Sequence, residues 1–297
     1  MEICSWEDLR NFCINAGKDL NEMFNTCQSL MDLSPFTVPA NGATSVNSIM
    51  DTVIGVISGT AMTLCVLFFL MEFAKKSMDL QWVKWENVFL FLLKLIFAKV
   101  VVENSREIME FIFDAFTGLT STIQAKLVDT LGNGFLPTGE DDIVGLFLTT
   151  QEITLFDGNG IGDSGVWFGL DRLMKEIELM PSIFIAKGIL VVTAIMIFAR
   201  MFEIMVYTMV SPIPLSTFAN DEHRQIGIGF VKSYAAVCLQ GLMIIVMFYT
   251  FSVMGDFIDS LDGTWLSGSF GILIRTLVLG LGIFKSGSWA KKLCGAM

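Results

Sequence analysis

The segment that follows Asp51 contains twenty consecutive residues without a charged side chain, from Thr52 to Met71. At a rise of about 1.5 Å per residue, a helix of this length crosses the roughly 30 Å hydrocarbon core of a bilayer. The composition agrees, because 53% of the 297 residues are hydrophobic and 16% are charged, against roughly 45–50% and about 25% in soluble domains. We therefore expect an all-α membrane protein.

Four further apolar runs are candidates for membrane spans. They cover residues 88–102, 183–210, 230–254 and 265–284. The first of these is the weakest because Lys94 and Lys99 interrupt it, but Trp82 and Trp85 flank it as interface anchors. Residues 103–131 are predicted to continue it as a long amphipathic helix. The chain is thus predicted to have about five transmembrane helices.

The charges outside these runs predict the orientation of the chain. Short basic segments are typical of cytoplasmic loops, and they contain Lys75, Lys76, Lys84, Arg224, Lys232, Lys285, Lys291 and Lys292. The loop at 132–180 is acidic instead. We therefore expect the N-terminus outside and the C-terminus in the cytoplasm. This arrangement needs an odd number of crossings, so the run at 88–102 must cross as well.

The same reasoning divides the chain into four segments. We predict an extracytoplasmic amphipathic N-terminal segment at 1–47, and the first two spans with their helical extension at 48–131. An acidic extracytoplasmic loop follows at 132–180. Residues 181–297 are predicted to form a three-span membrane region with a cytoplasmic connector at 211–227.

The N-terminal segment carries the pattern of an amphipathic helix. Its apolar residues recur at alternating spacings of three and four: Trp6, Leu9, Cys13, Ala16, Leu20, Met23, Cys27 and Leu30. Ser5 and Asp8 match a capping box at its start. The helix either contacts a partner or the lipid surface, or folds back on the chain's own bundle. Cys13 and Cys27 would lie about 21 Å apart on it, too far for a disulfide, so both are predicted to be apolar packing residues.

Ionisable residues at or near membrane depth are candidate functional residues, because a charge there is costly unless it pairs, snorkels or faces water. They are Lys94, Lys99, Glu103, Lys187, Arg200, Glu203 and Arg275. Arg200 and Glu203 are spaced i,i+3, and Lys99 and Glu103 are spaced i,i+4, so each pair can form on one helix face.

The remaining candidates have other expected environments. Lys187, like Lys99, can snorkel from near a helix end. Lys94 and Arg275 are expected at a helix interface or in a wet lumen between subunits. Gly55 and Gly59 form a GxxxG pattern that permits close helix packing, although a chance pair is the alternative.

Common catalytic signatures are missing from the sequence. It has no GxxxxGK[ST] phosphate loop, HExxH, GxSxG or CxxC pattern. The stretch DGNGIGDSG at 157–165 departs from a calcium loop at Ile161 and Phe168. We therefore expect a protein that is not an enzyme and has no cofactor or metal. The net charge of −11 also argues against direct nucleic-acid binding.

A proline-containing connector joins the runs at 183–210 and 230–254, and residues 211–230 read SPIPLSTFANDEHRQIGIGF. Pro212 and Pro214 cannot continue a helix, and Gly227 and Gly229 permit a return bend. The polar residues between them form either a docking surface for a cytoplasmic partner or an ordinary loop: Asn220, Asp221, Glu222, His223 and Arg224. His223, the single histidine, is expected to be solvated or to cap a helix, with proton sensing as the alternative.

The connector and the apolar run after it resemble the TrbL-like polytopic inner-membrane subunit of type IV secretion and conjugation systems, in its Gram-positive conjugative-element form. The resemblance is strongest from Arg200 to Gly241, and the five-span layout is similar. It implies a multi-pass structural subunit of the cytoplasmic membrane that forms a homo-oligomeric ring for DNA transfer. The implied partners are membrane lipids, further copies of the chain, an ATPase and a coupling protein. The alternative is a stand-alone pore or small-solute transporter, which the lack of a visible internal repeat disfavours.

Overall fold

The computed structural model describes residues 6–31, 33–36, 46–78, 85–131, 166–259 and 269–296. Regular structure in these ranges is helical, which confirms the all-α class. The helices are α1 Trp6–Met31, α2 Val46–Met78, α3 Trp85–Glu103, α4 Ser105–Leu131, α5 Val166–Val210, α6 Pro212–Ser216, a 3₁₀ helix Thr217–Ala219, α7 Arg224–Asp259 and α8 Ser269–Leu293.

Three of the described helices contain a stretch long and apolar enough to cross a membrane. These stretches are Val46–Met78, Ile177–Val210 and Arg224–Phe251. The chain is therefore a multi-pass membrane protein. The spans predicted at 88–102 and 265–284 lie in α3 and, from Ser269 onward, in α8. The count of five spans and the orientation stay predictions.

The chain forms two compact units. The first comprises Met1–Met31, Thr122–Ile197 and Met243–Ser286, and the second comprises Asp32–Ser121, Phe198–Leu242 and Gly287–Met297. The four segments predicted from sequence were defined by membrane side rather than by packing, so that division stays a prediction. Its acidic loop and the calcium-like stretch at 157–165 lie mostly outside the described residues, as does Ser5 of the predicted capping box.

In the first unit, the apolar stripe of α1 is buried. Leu9, Cys13 and Leu20 are buried in a core that also contains residues of α5, α7 and α8. Phe24 packs edge-on against Phe248, with ring centroids 4.9 Å apart. The structure therefore has the second of the two arrangements expected for α1, in which the helix folds back on the chain's own helices.

Polar contacts also hold α1 in this unit. The Lys187 ammonium lies 2.7 Å from Asp19 of α1, so this lysine has an ion-pair partner instead of merely snorkelling. Cys13 and Cys27 are both buried and neither is in a disulfide, in agreement with their predicted packing role. The Cys27 thiol lies 3.6 Å from the Leu190 carbonyl oxygen.

In the second unit, α3 and α4 form a nearly continuous helix. The Asn104 amide donates to the Val100 carbonyl at 3.0 Å, and the Ile108 amide donates to the Asn104 carbonyl at 3.0 Å. Helical hydrogen bonds thus pass through the junction, as expected for an amphipathic continuation of the run at 88–102. The buried Tyr234 hydroxyl of α7 donates to the Met109 carbonyl of α4 at 3.0 Å.

Candidate functional site

The connector consists of a short helix, a 3₁₀ helix and a non-helical turn at residues 220–223. Helix α5 ends at Val210, as the prolines predict. Ser211 keeps helical angles (φ −51°, ψ −33°), and α6 begins directly at Pro212. Pro212 and Pro214 both lie in the first turn of α6, where a missing backbone N–H is tolerated. Both prolines are therefore accommodated at the start of a new helix, with Ser211 still in a helical conformation.

The connector is packed against two helices of the second unit. Helix α6 and the 3₁₀ helix contact both α2 and α3. Ala219 shares a buried cluster with Cys65 of α2 and Ala98 of α3, and Leu215 is buried as well. This apolar contact holds the connector against α2 and α3. Polar contacts join the same elements.

A group of four charged residues joins the connector to α2 and α3, and we call it the Glu72 cluster: Glu72, Lys76, Lys94 and Asp221. The Glu72 side chain is only 5% exposed, and its carboxylate lies 2.9 Å from the Lys76 ammonium and 3.0 Å from the Lys94 ammonium. Its second oxygen accepts the Asp221 backbone N–H at 2.9 Å. Lys94 also pairs with the Asp221 carboxylate.

This arrangement satisfies the buried carboxylate on both oxygens. Burial of a charge is tolerated only when its partners have good geometry and its remaining hydrogen-bonding capacity is used. Lys94 had two expected environments, and in the structure it lies at an interface between α2, α3 and the connector. An ammonium that would be costly in the apolar run of α3 therefore has two carboxylate partners.

The neighbouring connector residues have defined partners too. The Asn220 side-chain amide donates to the Phe68 carbonyl at 3.2 Å, and its oxygen accepts the Glu222 backbone N–H at 2.8 Å. Glu222 pairs with Lys75, with both side chains more than half exposed, so that pair contributes little to stability. His223 directly precedes α7 and its carbonyl accepts the Ile226 N–H at 2.9 Å, in agreement with the expected helix cap, while its ring is half-buried 5.3 Å from that of Phe68. Arg224 is exposed and begins α7.

The Glu72 cluster predicts a loss of stability in acid. The hydrogen bond from Lys94 lowers the pKa of Asp221 below its ordinary value. A lowered folded-state pKa stabilises the fold above the unfolded pKa, and this contribution is lost as the pH falls through the folded pKa. We therefore expect stability to fall below about pH 4, and Asp221→Asn to reduce that fall. Thermal unfolding in detergent between about pH 7 and about pH 3 measures it.

Asp114→Asn, at an exposed position of α4, is the matched control and should keep the full acid dependence. An Asp221→Asn variant with the same pH profile as the parent protein would show that this ion pair does not contribute.

Gly227 allows the first turns of α7 to approach the connector closely. Its backbone N–H donates to Thr217 Oγ1 at 3.1 Å. A Cβ at this position would lie 3.0 Å from both the Pro214 carbonyl oxygen and Thr217 Oγ1, whereas a Cβ at Gly229 would meet nothing within 4 Å. Both glycines are helical. The expectation of a glycine-dependent bend was therefore wrong, because Gly227 is needed for space.

Alanine substitutions at these two glycines should have opposite effects. Gly227→Ala is expected to lower the free energy of unfolding by about 1–3 kcal/mol, because the methyl group overpacks a contact with backbone. Gly229→Ala is expected to raise it by up to about 1 kcal/mol, because alanine favours the helix where space is open. Unfolding of both variants by titration with denaturing detergent tests the contrast, and equal effects would contradict it.

Arg200 does not form its predicted pair with Glu203. Its guanidinium donates from Nε to the Val237 carbonyl at 3.0 Å and from Nη2 to the Cys238 carbonyl at 3.1 Å. The guanidinium crosses α7 at Gly241, where a Cβ would lie 2.5 Å from Arg200 Cζ. The long side chain reaches two carbonyl acceptors on the neighbouring helix, and this replaces the local i,i+3 contact.

The other predicted residues are in simpler environments. Lys99 and Glu103 lie 3.6 Å apart as an exposed i,i+4 pair. A Cβ at Gly55 or Gly59 would meet nothing within 4 Å, so no part of the described chain packs closely on this GxxxG pattern. Arg275 lies in α8, and its side chain is outside the described residues.

Sequence reasoning missed the ion pairs at the two ends of α2. Glu72 is the first charge after the uncharged run, and only its i,i+4 spacing to Lys76 gave a local signal. Near the start of α2, Asp51 pairs with Arg106 of α4. Twenty uncharged residues separate Asp51 from Glu72, about 31 Å of helix. Helix α2 is therefore ion-paired to the α3–α4 helix on both sides of an apolar stretch as long as a bilayer is thick.

The fold and the site define a multi-pass all-α membrane protein with an ion-paired connector. Among the described residues, no group of three or more His, Cys, Asp or Glu side chains could hold a metal ion. No protein-family model, curated protein or solved structure matches the chain. The resemblance to TrbL-like subunits thus depends on the residues of the connector and the following span.

Proposed function

We propose that this chain is a TrbL-like structural subunit of a type IV secretion apparatus and is not an enzyme. In this proposal, it forms a homo-oligomeric ring in the cytoplasmic membrane through which conjugative DNA transfer proceeds. One observation carries the proposal. The connector, which bears the resemblance, is locked to α2 and α3 by the Glu72 cluster.

The connector would serve as a docking surface for the ATPase or the coupling protein. Its base is buried, while the Asp221 and Glu222 side chains are 56% and 61% exposed. A polar surface held on a rigid base loses less conformational freedom when it binds a partner than a free loop does. An ordinary connecting loop would not need a buried carboxylate beneath it.

The five-span layout has support in the geometry of α2. Its ion pairs to the α3–α4 helix lie at both ends of the apolar stretch, so the α3–α4 helix lies beside a helix of membrane-spanning length. Lys94 then reaches its carboxylate partners at one end of the crossing. We propose on this basis that α3 crosses, and that the connector faces the cytoplasm, where basic loops are retained.

Contacts between copies would use the open GxxxG face of α2. The space at Gly55 and Gly59 allows a helix from another copy to approach closely, as small residues do in membrane helix pairs. No sequence-specific nucleic-acid contact is part of this proposal, because the net charge of −11 disfavours phosphate binding. The ring would serve as a structural part of the channel that surrounds the DNA during transfer.

The first test is the mass of the purified protein in nanodiscs, together with particle images. A closed ring of several copies is the expected result. A monomer with an enclosed cavity at mid-membrane would contradict the ring and would favour the stand-alone pore or small-solute transporter.

A conjugation assay tests the docking surface. Glu222→Lys reverses an exposed charge that contributes little to stability, so the ring should still form. Transfer should fall by about tenfold or more, because like charges then meet at the partner interface. Glu107→Lys, at an exposed site of α4, is the matched control and should transfer normally. Normal transfer by Glu222→Lys would remove the connector from the docking role.

A further inference from the structure

Basic side chains of the second unit fall into two groups. The first group has carboxylate partners: Lys75, Lys76, Lys94, Lys99 and Arg106. The second group includes three exposed lysines on α7 and α8, and none of them has a carboxylate within ion-pairing distance among the described residues: Lys232, Lys291 and Lys292. All three side chains are exposed.

The last turn of α8 contains two of these lysines, and its capped end lies beside the third. Gly295 takes a left-handed conformation (φ 60°). Its N–H donates to the Lys292 carbonyl at 3.2 Å, and the Ala296 N–H donates to the Lys291 carbonyl at 2.9 Å. This is a Schellman cap. The Lys232 ammonium of α7 would lie 3.8 Å from a Cβ at Gly295, so it lies beside the capped end of α8, whose last turn contains Lys291 and Lys292.

The two helices run antiparallel at this place. Gln240 of α7 lies against Gly287 of α8, with its Nε2 3.4 Å from a Cβ built there. Lys232 is eight residues before Gln240 in the chain, and Gly295 is eight residues after Gly287. Lys232 and Gly295 also lie beside each other. The contact therefore continues along both helices, and the position of the lysines follows from helix packing rather than from a free tail.

Two exposed apolar side chains lie in the same last turns of α8 as Lys291 and Lys292. Trp289 is 41% exposed and Leu293 is 68% exposed, and their i,i+4 spacing puts them on one face of α8. Tryptophan favours the interface between lipid and water, where its ring is apolar and its N–H can be hydrated. Arg224–Phe251 in α7 is one of the membrane-length stretches. A lipid surface therefore fits the exposed lysines together with Trp289 and Leu293 better than a soluble acidic partner does.

We propose that this patch, defined by Lys232, Trp289, Lys291, Lys292 and Leu293, binds the headgroups of anionic phospholipids. The lysines would contact the lipid phosphate, and Trp289 with Leu293 would enter the region between headgroups and acyl chains. The proposal requires a membrane protein but does not depend on the secretion role. A failed ring or transfer experiment would leave it intact.

Native mass spectrometry of the full chain in mild detergent tests the patch by titration with phosphatidylglycerol and with phosphatidylcholine. We expect preferential binding of phosphatidylglycerol. Replacing all three lysines with glutamine should weaken it on the order of 100-fold, about fivefold per lysine. The same positions changed to arginine should keep the binding, because the charge remains.

A single-site comparison supplies the matched control. Lys292→Gln should weaken phosphatidylglycerol binding about fivefold, whereas Lys99→Gln, which removes a lysine already paired with Glu103, should leave it unchanged. If the triple glutamine variant does not fold, this comparison and the arginine variant decide the question.

Three outcomes would overturn the proposal. The first is undiminished binding of phosphatidylglycerol by the glutamine variants. The second is equal binding of phosphatidylcholine and phosphatidylglycerol by the parent protein. The third is complete displacement of the lipid by inorganic phosphate at matched concentration, which would indicate a simple anion site without a lipid component.

Discussion

Glu72→Ala is expected to lower the free energy of unfolding by roughly 3–5 kcal/mol, the usual cost of removing one partner from a buried ion pair. The carboxylate is 5% exposed and holds the ammonium groups of Lys76 and Lys94. Without it, Asp221 is the acidic partner that Lys94 keeps among the described residues, and the Asp221 backbone N–H loses its acceptor. The connector should therefore loosen as the fold is destabilised.

Two measurements check this result. Unfolding by titration with denaturing detergent gives the change in free energy. Hydrogen exchange at the Asp221 amide reports the connector directly, and the variant should exchange faster. Glu103→Ala removes a half-exposed carboxylate from the pair with Lys99 and should cost only about 0–1 kcal/mol.

A small effect of Glu72→Ala, equal to that of Glu103→Ala, would mean that the buried pair does not hold the connector. The double variant Glu72→Ala/Lys94→Met provides a further check. It removes both charges, so it should recover part of the lost stability.

Gly241→Ala is expected to cost roughly 3 kcal/mol, an estimate that combines overpacking with the loss of charge-assisted hydrogen bonds. The new methyl group would occupy the place of the Arg200 guanidinium. Arg200 would have to leave the Val237 and Cys238 carbonyls, and a cation at membrane depth would lose its acceptors. Unfolding titrations of the variant against the parent protein measure the loss.

The matched control is Gly59→Ala, at a glycine of α2 with open space around it. Alanine there should be neutral or stabilising by up to about 1 kcal/mol. The double variant Gly241→Ala/Arg200→Met should be less destabilised than the two single changes predict together, because the methionine no longer needs the same space. Simple additivity would mean that the guanidinium and Gly241 do not interact.

The sequence alone predicted features that depend on local spacing. The uncharged run after Asp51 predicted α2, and the spacing of three and four residues predicted α1. The i,i+4 spacing predicted the Lys99–Glu103 pair. Each of these depends on residues close together in the chain, so helical geometry alone determines them.

The predictions that failed required knowledge of neighbours far away in the chain. Arg200 was matched with the nearest acid, yet its acceptors are 37 and 38 residues away. Gly227 was assigned to a bend because the steric demand of the Pro214 carbonyl is not visible in a linear sequence.

By itself, the sequence determined that this protein is helical and crosses a membrane, because the length and period of apolar runs are properties of consecutive residues. Only the tertiary structure decided that Lys94 meets Glu72, 22 residues earlier, and that the Glu72 carboxylate accepts the Asp221 N–H across 149 residues. The physical reason is that a costly charge in an apolar helix takes whichever partner the packing of helices brings within reach, and spacing along the chain does not encode that partner.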